Sequence, residues 1–199
     1  MTPSPMQNGW LTLANRHSGE RLQLRRVLRN GQMCVELKSS VPPRQDGPPL
    51  HVHYREHEEG TVIAGTLSAE VDGRVIRVEA GGTARFPMGS AHRWWNDGDD
   101  VLVAEALVRP VVDFDLFLQA AFEVLNSGPA NRPPLFYMAY LLWRHRKTQA
   151  VLFPPPWLQA VLVPVVVGVG TLLGRYRGTD WPGCPAGRSP APLAADSAA

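Results

Sequence analysis

The chemistry in this chain concentrates in one short stretch, His51-Val52-His53-Tyr54-Arg55-Glu56-His57-Glu58. His51 and His53 stand two apart in a run that reads as a strand, so both imidazoles project from one face. If that face lines the inside of a closed sheet, two nitrogen donors converge on one point. Glu58 follows a four-residue reversal and offers a carboxylate oxygen, and His92 opens a later strand and offers a third nitrogen. Three imidazoles and a carboxylate suit one divalent transition metal ion, Fe, Mn, Ni, Cu or Zn, and not an all-oxygen calcium site. His57 and Glu59 flank Glu58 and compete with it for the same role. His17 and His145 have no such neighbours and are expected on the surface.

Positioning these groups requires a β framework, and the chain has one. Between residues 10 and 109 about ten short segments alternate apolar and polar residues, as in Leu22-Gln23-Leu24 and Val75-Ile76-Arg77-Val78. Period two marks strands with one buried face. Asn30-Gly31, Asp72-Gly73 and Gly81-Gly82 separate them, pairs that favour the positive φ angles of tight hairpins. The expected fold class is therefore mainly β, a barrel or jelly roll, followed by α-helices.

The remainder of the composition narrows the function. The chain has 199 residues, enough for one domain with an appendage, and a net charge of +2. That balance gives no electrostatic case for nucleic acid. Two cysteines, Cys34 and Cys184, exclude a disulfide framework or a cysteine zinc cluster. Residues 1–10 show neither a basic nor an apolar leader segment, so a cytoplasmic location is expected, with membrane association left open by a segment described below.

Spacing adds a resemblance. His51-x-His53, four residues, Glu58, six residues and Gly65 match the first cupin motif; Gly81, Pro87, Gly89, His92 and Asn96 match the second at every position. Over residues 10–109 the chain thus resembles a small single-domain member of the cupin superfamily. The resemblance implies a cupin barrel, a double-stranded β-helix, in which His51, His53, Glu58 and His92 hold one metal. It favours Glu58 over its neighbours, because the gap to Gly65 fits that residue alone. An octahedral ion with four protein ligands would keep about two positions open.

Alternation places Trp94 on the same face as His92, and either Phe86 or Arg85 inward. Trp94 and Phe86 are the candidate substrate-binding walls, of a largely apolar cavity better suited to an aromatic or aliphatic molecule than to a phosphosugar. Asn96 is expected to close the following turn through its side chain.

Past residue 109 the period changes. Phe114, Phe117, Leu118, Ala121, Phe122 and Leu125 form one apolar helical stripe, with Asp113 placed to cap its start and Gly128 its end. A second helix is expected from about Pro134 to Arg146. Residues 148–174 carry no charge, and Trp157–Gly174 is dense in Val and Leu. This last stretch reads either as a membrane helix or as one packed on the barrel or on a second subunit. Residues 178–199 read as a flexible tail. The expected organisation is a barrel over 10–109, a helical extension over 111–177 and the tail.

The functional expectation is a metal-dependent enzyme on a small organic molecule, a dioxygenase-type oxidoreductase or an isomerase. Its rival is a non-catalytic cupin that binds metal or a small ligand, tethered to a membrane if 157–174 inserts. A homodimer is expected, and no nucleic-acid partner.

Overall fold

A computed structural model describes residues 9–129 and 132–176, together with the backbone of 195–196. Eleven strands occupy the first half: β1 (Leu11–Ala14), β2 (Arg21–Arg29), β3 (Gln32–Val41), β4 (Gln45–Asp46), β5 (His51–His53), β6 (His57–Ala64), β7 (Thr66–Val71), β8 (Arg74–Glu79), β9 (Thr83–Phe86), β10 (Ala91–Asn96) and β11 (Leu102–Arg109). Then come α1 (Phe114–Ser127), α2 (Leu135–His145), β12 (Gln149–Val151), α3 (Pro156–Leu172) and β13 (Ala195–Asp196). The chain is mostly β with helices at its C-terminal side, as expected.

Two sheets form the β part. One runs β1-β2-β3-β11-β6-β9, with β13 parallel to β2. The other runs β12-β5-β10-β7-β8, with β4 on β10. The hairpins close where the sequence placed them: Asn30 and Gly31 both take positive φ, as do Asp72 and Gly73. Gly65 is a third fixed point. Its φ is +76°, and a Cβ there would meet the Val101 carbonyl oxygen at 2.7 Å, so no side chain fits the corner from β6 to β7.

The core forms two clusters, one between the two sheets and one between the first sheet and α1. Val41, Val62, Leu67, Ala69, Ala84, Phe86 and Leu102 form one, with Trp94 packed against it. Leu11, Leu22, Leu24, Val35, Leu37 and Val108 form the other, which Phe114 and Phe122 of α1 complete. α1 is thus part of the barrel's core. Arg26 of β2 clamps it through a two-pronged ion pair to the fully buried Asp115, at 2.9 and 2.7 Å.

The helix ends differ from expectation. Asp113 occupies the N-cap position of α1 but makes no capping bond. Glu56 does that work from the barrel: its Oε1 accepts from the backbone N–H of Val112 at 2.6 Å and of Phe114 at 3.3 Å. Asp113 instead engages His145, which is 3% exposed and not the surface residue the sequence suggested. The burial is the work of α2, whose last residue folds back onto the start of α1. Gly128 follows α1 with extended backbone at φ −104°, so the left-handed cap is absent.

β12 is a further departure. It belongs to the C-terminal half yet pairs antiparallel with β5, so the extension contributes a strand to the barrel. α3 is apolar nearly all round; only Gly170 is buried, while Trp157, Val161, Val165, Val169 and Leu172 are exposed. Among the described residues no helix is long and apolar enough to cross a membrane. At 17 residues, α3 spans about 25 Å. The flexible tail expected over 178–199 lies outside the described residues, apart from the β13 pairing.

Candidate metal centre

Two neighbouring strands bring the histidines together. β5 and β10 run antiparallel with His51 opposite His92. His53 shares the face of His51, two residues along. The ring centroids lie 4.9 Å apart for His51 and His53, 4.3 Å for His51 and His92, and 5.0 Å for His53 and His92. One ring nitrogen from each lies within 4.8 Å of the others, a group able to hold a metal ion.

The backbone sets two of the rings. His51 Nδ1 is 2.8 Å from the Pro49 carbonyl oxygen, and His92 Nδ1 is 3.0 Å from that of Ser90. A carbonyl only accepts, so each Nδ1 carries the proton and each Nε2 keeps its lone pair for the interior. His92 Nε2 and His53 Nδ1 are buried without a hydrogen-bond partner. Buried imidazole nitrogens with no partner are costly unless something binds them. The donor set and these orphaned nitrogens fit a divalent transition metal.

Burial also holds the imidazoles neutral. It lowers His51 to about 4 and His53 to about 2, helped by mutual repulsion within the cluster, and it lowers His92 as well. Neutral imidazole is the metal-binding form.

Aromatic rings wall the cluster. Phe86 stacks on His92 at 4.8 Å and 28°, and Phe114 tilts against His53 at 5.2 Å. Phe86 is inward, and its neighbour Arg85 turns out to pair with Glu59. Trp94 shares the inner row with His92 and packs, partly buried, against the core cluster that contains Phe86. Phe114 was legible only as one member of a helical stripe; its position at the site follows from α1 docking on the barrel.

Glu58 stands elsewhere. It lies on the inward row of β6 with Gly60 and Val62, opposite Phe86 of β9, in the other sheet from the histidines. No oxygen of Glu58 joins the three-imidazole group. Burial, and then the charge of Glu56, push its carboxyl up to about 7. His57 is exposed, and its Nδ1 accepts from the Met88 backbone N–H at 3.2 Å, away from the cluster.

Asn96 closes its turn as the motif implies, and more widely. Its Oδ1 accepts from Gly98 N–H, while its Nδ2 lies within 3.1 Å of the carbonyls of Val41, Pro42 and Asp100. It ties the end of β10 to β3 and to the approach to β11, which keeps His92 in register.

Residues 37–108 match the family model described as the cupin domain. The match starts in β3 and ends in β11, so it includes every histidine of the cluster and leaves out β12 and the helices. Among solved structures, similarity extends to a putative sugar phosphate isomerase from Acidithiobacillus ferrooxidans, at 21% identity over 42% of this chain and 54% of that one, TM-score 0.38. It extends to KdgF from Halomonas sp., at 20% identity over 56% and 97%, TM-score 0.43. A Bacillus subtilis oxalate decarboxylase variant aligns at 21% identity over 53% and 30%, TM-score 0.41. The chain thus spans about half the length of the isomerase and under a third of the decarboxylase. No curated protein matches.

Proposed function

From the match of residues 37–108 to the cupin domain, we propose that the protein is a metal-dependent enzyme acting on a small organic molecule, by dioxygenase-type oxidation or by isomerisation. His51, His53 and His92 hold one divalent transition metal ion, and Glu58, which stands outside that group here, is the candidate fourth ligand. The observation that carries this reading is the convergence of three neutral imidazoles, two of them with a buried nitrogen that has no protein partner.

When bound, the ion supplies Lewis acidity or redox chemistry at its open positions. The chain's own residues do the rest. The Pro49 and Ser90 carbonyls fix the tautomer and tilt of His51 and His92. Phe86 and Phe114 exclude water from one side of the cluster.

Elemental analysis of the purified full-length protein and of His51→Ala tests the reading. One transition metal per chain, lost in the variant, is the expected result. Metal-loaded protein that turns over none of a broad set of small carbonyl and hydroxy compounds, with or without dioxygen, would favour a binding protein over an enzyme.

A further inference from the structure

We propose that Gln149, delivered by the C-terminal extension, contacts the ligand bound at the three-histidine centre, and that this ligand is a small hydroxy acid. The inference rests on the metal reading above and goes beyond it, because Gln149 lies outside the matched cupin segment. In the β5–β12 ladder Gln149 is directly opposite His53, and Val151 is opposite His51. Residues opposite each other in an antiparallel pair share a face, with Cβ atoms about 4.5–5.5 Å apart. The Gln149 and His53 side chains therefore leave the ladder as neighbours on one face.

The Gln149 carboxamide is 5% exposed, and neither its nitrogen nor its oxygen has a hydrogen-bond partner. The backbone around it is fully tied. Thr148 O accepts from Tyr54 N–H at 2.7 Å, Leu152 N–H donates to Leu50 O at 2.8 Å, and the Gln159 amide of α3 donates to Val151 O at 2.6 Å. β12 is thus held at both ends, while its one buried polar side chain is left unsatisfied. A buried amide with no partner bears its whole desolvation cost, which a sequence avoids with Leu or Met unless the amide meets something that binds.

The chemistry of the missing partner follows from the groups present. A primary amide donates through its nitrogen and accepts through its oxygen. The three imidazoles leave a divalent ion positively charged, which favours an anionic oxygen. A molecule carrying a carboxylate for the ion and a neighbouring hydroxyl, able to donate and accept, satisfies both.

The test uses full-length protein loaded with Co(II), whose visible bands report its ligands, with glycolate as the probe and acetate as its hydroxyl-free control. Wild type should take one Co(II), and glycolate should shift the bands. Gln149→Met should hold the same Co(II) but bind glycolate roughly 10- to 100-fold more weakly, the effect of one unsatisfied contact. Acetate should bind both proteins alike. Without metal, the variant should melt about 2–4 °C higher than wild type, since it removes an unsatisfied buried amide. An amide serving only the fold would lower the melting temperature and leave glycolate affinity unchanged. Either result overturns the proposal, as does a wild-type cobalt site that ignores glycolate. Gln149→Leu gives the same comparisons should the Met variant fold poorly. Failure of wild type to take up Co(II) would sink the metal reading itself, before any glycolate is added.

Discussion

His145 Nδ1 lies 2.6 Å from Asp113 Oδ2, joining the last residue of α2 to the residue before α1. Burial works against ionisation of Asp113, but hydrogen bonds from His145 and Thr148 overcome it and hold the carboxyl below the usual aspartate range. The pair fixes the angle at which the extension leaves the barrel and therefore where β12 lands.

His145→Ala should leave the Asp113 carboxylate short of its main partner. Breaking a fully buried pair costs about 3–5 kcal/mol; with Asp113 partly open to solvent, about 2–3 kcal/mol is expected. Urea unfolding of the variant near neutral pH measures it. The sign with pH follows from the depressed Asp113 value. Its stabilisation is present above the unfolded value of about 4 and is lost as pH falls through the lower folded one.

The histidine cluster's contribution to the stability of the metal-free protein should be greatest near pH 6.5–7. Each cluster histidine has a folded value below its unfolded one, so the unfolded chain takes up more protons in acid. Stability should fall as pH drops from about 6.5 toward the His51 value of about 4. Glu58 acts oppositely: raised to about 7, it favours the folded state below its unfolded value and loses that advantage as pH climbs to 7. The difference between thermal melts of wild type and of His53→Ala, taken from pH 4 to 8, should show the acid-side fall. Metal occupancy should persist below pH 6.5 and give way nearer 4; release complete by pH 6 would contradict the burial of these rings.

Glu58→Gln separates the carboxylate's two effects. Without metal it should raise the melting temperature at pH 8 and change little at pH 5, where the carboxyl is already protonated. With metal it should weaken binding by roughly tenfold or more, the loss typical of disturbed metal ligation. Unchanged affinity in a competitive chelator titration would remove Glu58 from the ligand set.

Asn96→Ala should cost about 3 kcal/mol, because it removes the amide that bonds the buried Val41 carbonyl and the half-buried carbonyls of Pro42 and Asp100. Chemical denaturation reads that loss. Metal binding should weaken along with it, since Asn96 holds the strand that carries His92.

Truncation after Arg109 keeps every motif residue yet should yield aggregated protein. It strips Phe114 and Phe122 from the barrel's core cluster and uncovers β5, which loses β12. Soluble, metal-binding truncated barrel, assessed by size-exclusion chromatography, would show that the extension is dispensable.

How much of this was legible depends on how far apart the partners are. Strands declared themselves through alternation, hairpins through Asn30-Gly31 and Asp72-Gly73, and the histidine cluster through spacing along β5 and the motif around His92. The pairing of Gln149 with His53 carried no such mark. Three residues, Gln149-Ala150-Val151, do not show a period, and their partner strand lies beyond α1 and α2. Glu56 capping α1 and Asp113 turning to His145 were hidden for the same reason: each contact is set by how two distant elements dock. Glu58 was placed by the motif, but spacing along one strand does not report which sheet that strand joins.

The β5–β12 ladder also governs when the site comes into being during folding. Its two strands are separated in sequence by everything from β6 through α2, whereas β2–β3 and β7–β8 close through tight turns. Contacts that enclose long loops form late, because closure entropy opposes them until local structure has formed. The hairpins should therefore assemble first, with β5 an unprotected edge until the helices deliver β12. In pulsed hydrogen exchange the amides of Tyr54 and Leu152, which bridge that ladder's ends, should gain protection after those of the β2–β3 hairpin.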